Sequence, residues 1–113
     1  MMLFDTEYVV FVAYTDPIED TPVVDIFGGE VIYDPDDGSY EGYERGHWWE
    51  SVPMATEDGV PAALDDIDTT LTRLGYERTG PWHGPKVTRR GERYVSDGTA
   101  HLESLGGPTT ARR

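Results

Sequence analysis

The alternation of apolar and polar positions divides the chain into short extended segments and one helical segment. Residues 8–14 form an unbroken run of β-branched and aromatic side chains, which is typical of a strand. Successive side chains of a strand point to opposite faces of its sheet, and here both sets are apolar. Residues 8–14 are therefore predicted to form a central strand whose two faces are both buried.

Five further extended segments are predicted, separated by glycine-containing breaks. A break at Gly28-Gly29 interrupts the segment of residues 23–33. The turn at residues 34–39 contains Asp37-Gly38, a pair suited to a hairpin. Arg90-Gly91 and Asp97-Gly98 are also predicted to be tight turns. The extended segments themselves are residues 23–33, 40–49, 86–89, 92–96 and 99–105.

Residues 61–74 (Pro61 to Leu74) are predicted to form the helix. Proline suits the first helical position and Gly75 suits the position just after the end. Apolar residues recur at helical spacing, and acidic residues lie early in the segment while Arg73 lies late, as the helix dipole favours. The apolar residues of this stripe are Val60, Leu64, Ile67, Leu71 and Leu74.

These elements predict an α+β fold: a mostly antiparallel sheet of five to six strands with one helix packed on one face. Residues 1–105 are predicted to form a single domain and residues 106–113 a flexible C-terminal tail. One helix covers only one face of such a sheet, so the apolar second face needs another cover. The alternatives are a second copy or a partner on that face, or closure within the chain itself.

Charge divides the chain into two unequal halves. Residues 1–72 carry eighteen acidic residues against one basic residue, Arg45, whereas residues 73–113 carry eight basic residues against four acidic ones. The net charge of −13 repels phosphate, so we expect no direct binding of nucleic acid and a basic protein surface as the natural complement. Two other interpretations stay open, namely that the acidity serves solubility and that the arginines pair with the chain's own carboxylates.

Several classes of protein are excluded or disfavoured by what the sequence lacks. Cysteine is absent, which excludes disulfides, cysteine-based zinc sites and thiol nucleophiles. No stretch has the apolar length of a membrane span, and the first residues do not have the pattern of a signal peptide. We therefore expect a cytoplasmic protein that does not bind a membrane.

The segment from residue 34 to residue 49 contains the candidate partner-binding residues. Its carboxylates would steer association, while Tyr43 and an outward-facing tryptophan would supply close contacts of the kind that dominate interfaces. If residues 48 and 49 are extended, their rings point to opposite faces; the alternative is that both fill the core. The candidate residues are Asp34, Asp36, Asp37, Glu41, Tyr43, Glu44, His47, Trp48 and Trp49.

Metal binding and catalysis receive less support from the same residues. Glu44, His47 and Glu50 share a face only in a helix, which the nearby glycines disfavour, and the aspartates near Gly38 do not fit a calcium-binding loop. No nucleophile, zinc-protease or phosphate-loop motif is present, so no catalytic residue, metal site or cofactor is predicted.

Three functional hypotheses follow. The first is a non-enzymatic acidic protein that binds, and in an inhibitor- or immunity-type role blocks, a basic protein partner. The second is a homo-oligomeric assembly subunit, such as a homodimer, in which the acidic half meets the basic patch of another copy, formed by Lys86, Arg89, Arg90 and Arg93. The third is a small enzyme or ligand-binding domain with a histidine, His47, His83 or His101, hydrogen-bonded to a carboxylate.

Overall fold

A computed structural model describes residues 6–17, 21–54, 56 and 60–101, and the description below refers to these residues. They form eight strands and one helix, which confirms the predicted α+β class with a mostly antiparallel sheet. The elements are β1 Thr6–Pro17, β2 Val23–Gly28, β3 Val31–Tyr33, β4 Tyr40–Tyr43, β5 Trp48–Pro53, α1 Leu64–Arg73, β6 Tyr76–Arg78, β7 His83–Thr88 and β8 Gly91–His101. The predicted tail, residues 106–113, lies outside the described residues.

The main sheet has six antiparallel strands built around β1. The order is β5-β2-β1-β8-β6, and β7 pairs with β8 beside β6. Strand β1 pairs with β2 on one side and β8 on the other, and Val9, Val10 and Phe11 are fully buried. The prediction of a central strand with two apolar faces is confirmed.

Helix α1 covers the first face of this sheet. Ile67 and Leu71 are about 1% exposed and pack with Phe11 and Ile26 in one apolar cluster. The helix begins at Leu64, three residues later than predicted, because Ala63 is extended and the Ala62 amide donates to a carbonyl of β1. The apolar stripe nevertheless positions the helix as the sequence indicates.

The second face is covered by the chain itself. Strands β3 and β4 form a separate two-stranded sheet, and Val31 from β3 is buried with Val10, Val12 and Val95. Tyrosines from the same small sheet surround this cluster. Closure within the chain is therefore the alternative that the structure shows for the middle of this face, while Tyr8 and Trp48 on the same face stay exposed.

The prediction of a turn at Asp97-Gly98 is wrong, because β8 continues through both residues. Gly98 lies opposite Val9 of β1 in the ladder and also pairs with Arg78 of β6. An added Cβ at this position would collide with the Glu77 carbonyl oxygen and lie 2.6 Å from the Phe11 ring. Glycine is needed here for close approach of neighbouring groups rather than for a turn.

The prediction of one return strand over residues 40–49 is also wrong. The segment divides into β4, which pairs with β3, and β5, which pairs with β2 in the main sheet. The residues between them are held by hydrogen bonds from the Glu44 amide to the Glu30 carbonyl, 2.8 Å, and from the Gly46 amide to the Gly28 carbonyl, 2.9 Å. These bonds redirect the chain from the small sheet to the large one.

Within the described residues, no helix has both the length and the apolar composition required to cross a membrane.

Candidate functional site

The small sheet and its flanking residues, 30–44, carry a concentration of acidic side chains; we call this segment the acidic hairpin. It contains six carboxylates and no lysine or arginine. All except Asp34, which is partly buried, belong to exposed residues, and none forms an ion pair with a basic residue of the described chain. The carboxylates are those of Glu30, Asp34, Asp36, Asp37, Glu41 and Glu44.

The turn of the acidic hairpin is shaped by two of its own aspartates. The Asp36 amide donates to Asp34 Oδ1 at 2.7 Å, and the Ser39 amide donates to Asp37 Oδ1 at 2.9 Å. The bond from the Ser39 amide is the main cause that lowers the pKa of the Asp37 carboxyl below its ordinary value. Asp34 and Asp37 therefore have a structural role in the turn, while Asp36, Glu41 and Glu44 have no hydrogen-bonded side-chain partner among the described residues.

The inner side of the acidic hairpin is aromatic and packs on the second face of the main sheet. Tyr33 and His83 share a hydrogen bond of 3.0 Å between the phenol oxygen and Nε2, and the Tyr40 ring stacks on His83 with ring centres 4.4 Å apart. Burial is the main cause that raises the pKa of both Tyr33 and Tyr40. Tyr43 is partly buried, and the Arg93 guanidinium lies 5.5 Å from its ring centre. The hairpin is thus anchored to β7 and β8 by aromatic contacts.

Trp48 and Trp49 point to opposite sides, as the extended pattern predicts. Trp49 is partly buried against the helix-side core and lies edge-on to Tyr76. Trp48 is 56% exposed and pairs across the ladder with Phe27, whose ring packs on the second face. Because cross-strand partners lie on the same face, Trp48 is on the side of the acidic hairpin. Of the two rings, Trp48 is the one available to a partner.

His47 is exposed, and its backbone carbonyl accepts a hydrogen bond from Gly28. Neither His47 nor His83 is hydrogen-bonded to a carboxylate, and the side chain of His101 lies outside the description. In the part of the chain that is described, no three His, Asp or Glu side chains are grouped so that they could hold a metal ion. The geometry required by a histidine–carboxylate mechanism is not formed at either described histidine.

The basic patch near the β7–β8 turn is only partly paired with the protein's own acids. Arg90 lies 3.5 Å from the Asp25 carboxylate and 4.0 Å from the ring centre of Tyr14. Lys86 and Arg89 are exposed and have no ion-pair partner among the described residues. Internal pairing with acids therefore accounts for Arg90, while Lys86 and Arg89 are open to solvent and the partly buried Arg93 has no ion pair among the described residues.

Two arrangements were not predicted from the sequence. The first is a three-residue contact in which Asp68 of the helix accepts hydrogen bonds from both Arg78 and Trp82. The second is a pocket of about 170 Å³ beside the acidic hairpin, to which Asp97 contributes. Because Asp97 was expected in a turn, its position in a central part of β8, beside a pocket, could not be read from the local sequence. The residues lining this pocket are Tyr8, Val9, Gly29, Glu30, Thr79, Asp97 and Gly98.

Comparisons of this chain with protein-family models, with curated proteins and with solved structures found no significant match.

Proposed function

We propose that this protein is a non-enzymatic binding protein whose acidic hairpin contacts a basic surface of another protein. The observation that supports the proposal best is the set of six carboxylates on the acidic hairpin, none with a cationic partner in the described chain. Trp48, exposed on the same side of the sheet, supplies an aromatic contact. If the surface that the hairpin covers is the functional surface of the partner, the protein acts as an inhibitor or immunity-type factor.

Electrostatic steering gives this arrangement a physical basis. Carboxylates concentrated on one hairpin attract a basic surface over a distance set by the Debye length, about 10 Å at 0.1 M salt, and so raise the association rate. Short-range affinity then comes from desolvated aromatic contacts such as one made by Trp48. The same field repels nucleic-acid phosphates. The cytoplasm remains the expected location, on the sequence signals alone.

The test compares two variants with equal changes in net charge. Asp36→Asn, Glu41→Gln and Glu44→Gln together remove half of the six negative charges of the acidic hairpin without touching the two aspartates that shape its turn. The control carries Asp66→Asn, Glu77→Gln and Glu92→Gln, which neutralise exposed acids outside the hairpin.

Binding of a fluorescent oligo-arginine peptide is measured by anisotropy at low and at physiological salt. At about 0.2–1 kcal/mol per exposed charge pair, removing three carboxylates from the hairpin should weaken binding roughly 3-fold to 150-fold at low salt, and the effect should shrink as salt rises. The control variant should lose much less affinity. Equal losses in the two variants would show that net charge alone drives binding, and the proposal would then be wrong.

A second candidate function is self-association between oppositely charged surfaces. The exposed and unpaired Lys86 and Arg89 favour it, because they offer a cationic surface that the acidic hairpin of a second copy would complement. Light scattering at low and high salt tests it: a dimer at low salt that dissociates at high salt is the expected result. A monomer at every concentration and salt would contradict it.

A further inference from the structure

The pocket beside the acidic hairpin has the size of a site for one side chain. It lies on the second face of the sheet where β1, β8 and the start of the acidic hairpin meet, with Tyr8, Glu30 and Thr79 exposed around it. Its volume of about 170 Å³ is below the roughly 300–1,000 Å³ of sites that enclose a drug-sized molecule. Its dimensions therefore suit one group projecting from a larger partner.

The charge of the pocket is negative and unpaired. Asp97 and Glu30 contribute carboxylates, and no lysine or arginine lines the pocket. Asp97 Oδ1 is buried from water and accepts no hydrogen bond in the described structure. A buried acceptor without a donor costs free energy, and more so when it carries charge. This oxygen lies against Gly80, so a cation in the pocket would offset that cost through its charge rather than by contact with Oδ1.

A guanidinium bound between a carboxylate and an aromatic ring already occurs elsewhere in this protein. Arg78 donates from Nε and from Nη2 to the two carboxylate oxygens of Asp68, both at 2.8 Å, and its guanidinium carbon lies 5.3 Å from the ring centre of Trp82. A carboxylate and an aromatic ring thus hold a guanidinium between them. The pocket presents a carboxylate from Asp97 and an aromatic ring from Tyr8, which is 70% exposed, with no guanidinium present.

We propose that this pocket binds the guanidinium group of an arginine side chain on the basic partner. This inference rests on the proposed function, which supplies the basic partner, and on the pocket, whose residues determine which chemical group binds. A planar guanidinium donates to a carboxylate and also stacks on an aromatic ring, whereas a strongly hydrated ammonium group does not stack in this way. Arginine is therefore preferred over lysine. Glu30 at the rim adds a second negative charge, and Tyr8 covers the guanidinium from solvent.

The test uses small probes in place of the partner. N-acetyl-arginine methylamide and its lysine counterpart are titrated into the ¹⁵N-labelled protein, and amide shifts are followed by NMR. We expect saturable shifts centred on Thr79 and Gly98, with the arginine probe binding more tightly than the lysine probe. Asp97→Asn should weaken the arginine probe about tenfold, the loss expected for one charge-assisted pair. The control Asp66→Asn, an exposed helix residue remote from the pocket lining, should change it less than about twofold.

A separate measurement of the melting temperature shows whether the Asp97→Asn variant is folded. Asp97→Asn keeps the shape of the side chain and removes a charge with an unpaired oxygen, so we expect its melting temperature to equal or exceed that of the parent protein. Glu30→Gln, at an exposed position, gives a second variant that should weaken the arginine probe with no change in folding.

Three results would overturn the pocket proposal: no saturable shift, shifts spread evenly over the acidic hairpin, or lysine binding as tightly as arginine. The peptide experiment on the acidic hairpin gives an independent answer. If the peptide still binds the hairpin variant more weakly than its control while no probe binds in the pocket, the pocket proposal is wrong and the proposed function is still supported.

Discussion

The contact of Asp68 with Arg78 is a test of how much one guanidinium–carboxylate pair stabilises this fold. Asp68→Asn removes the negative charge while keeping the size of the side chain and an oxygen acceptor for the Trp82 indole, which donates at 3.2 Å. The matched control is Asp66→Asn, on the same helix, because Asp66 is exposed and has no ion pair among the described residues.

The expected magnitude follows from the geometry. Two hydrogen bonds of 2.8 Å join the charged groups, and hydrogen bonds to charged groups each contribute about 1.5–3 kcal/mol when well shielded. The side chains of Arg78 and Asp68 are 26% and 31% exposed, so solvent reduces this value toward that of a surface pair. We expect Asp68→Asn to lower the free energy of unfolding by about 1–2 kcal/mol at neutral pH, and Asp66→Asn by less than about 0.5 kcal/mol.

The effect should depend on pH in a defined direction. Hydrogen bonding to Arg78 lowers the pKa of the Asp68 carboxyl below its ordinary value and raises the pKa of Arg78. A carboxyl with a lowered pKa in the folded state stabilises the protein fully above its ordinary pKa, about 3.9, and loses this contribution as pH falls through the lowered value.

Urea unfolding of both variants and the parent protein near pH 7, pH 5 and pH 3 measures this dependence. The difference between parent and Asp68→Asn should be constant between the first two conditions and smaller in the third. Equal stability of the two proteins at neutral pH would refute the reasoning, as would a difference that is larger in acid.

Two further substitutions test the packing of the sheet. Val31→Ala should lower the free energy of unfolding by about 2 kcal/mol, because Val31 is buried against the second face, whereas Ile32→Ala on the same strand, 44% exposed, should cost less than about 0.5 kcal/mol. Equal urea midpoints for these two variants would contradict closure of that face by the acidic hairpin. Gly98→Ala should destabilise the protein by about 2–3 kcal/mol, because the added Cβ would lie 2.6 Å from the Phe11 ring. Its control is Gly38→Asn, at an open turn position with φ of 76° that asparagine tolerates, and thermal unfolding should show little change there. A Gly98→Ala variant as stable as the control would show that β8 does not approach its neighbours as described.

The sequence predicts those parts of the fold that depend on local pattern. The central strand follows from the apolar run at residues 8–14, and the helix follows from a stripe in which Ile67 and Leu71 prove to be buried. The cover of the second face depends on a long-range contact, because Val31 packs with Val95, which lies far from it along the chain. Periodicity carries no information on such a contact, so the sequence left two alternatives open.

Part of the candidate site likewise follows from local sequence pattern, and part depends on contacts between distant residues. Exposure of the acidic turn and the opposite orientations of the two tryptophans follow from alternation and turn chemistry. The role of Asp97 could not be predicted, because Asp-Gly is a strong local turn signal and only the fit of Gly98 between β1 and β6 overrides it. The contact of Asp68 with Arg78 likewise joins residues whose proximity depends on how β6 lies beside the helix.

The proposal that the acidic hairpin is the partner-binding surface is tested most directly by NMR mapping with an oligo-arginine peptide. We expect the largest amide shifts at residues 30–44, together with a shift of the Trp48 indole, and we expect them to diminish as salt is raised. Shifts concentrated on helix α1, or a Trp48 indole that does not respond while the peptide is bound, would contradict the account.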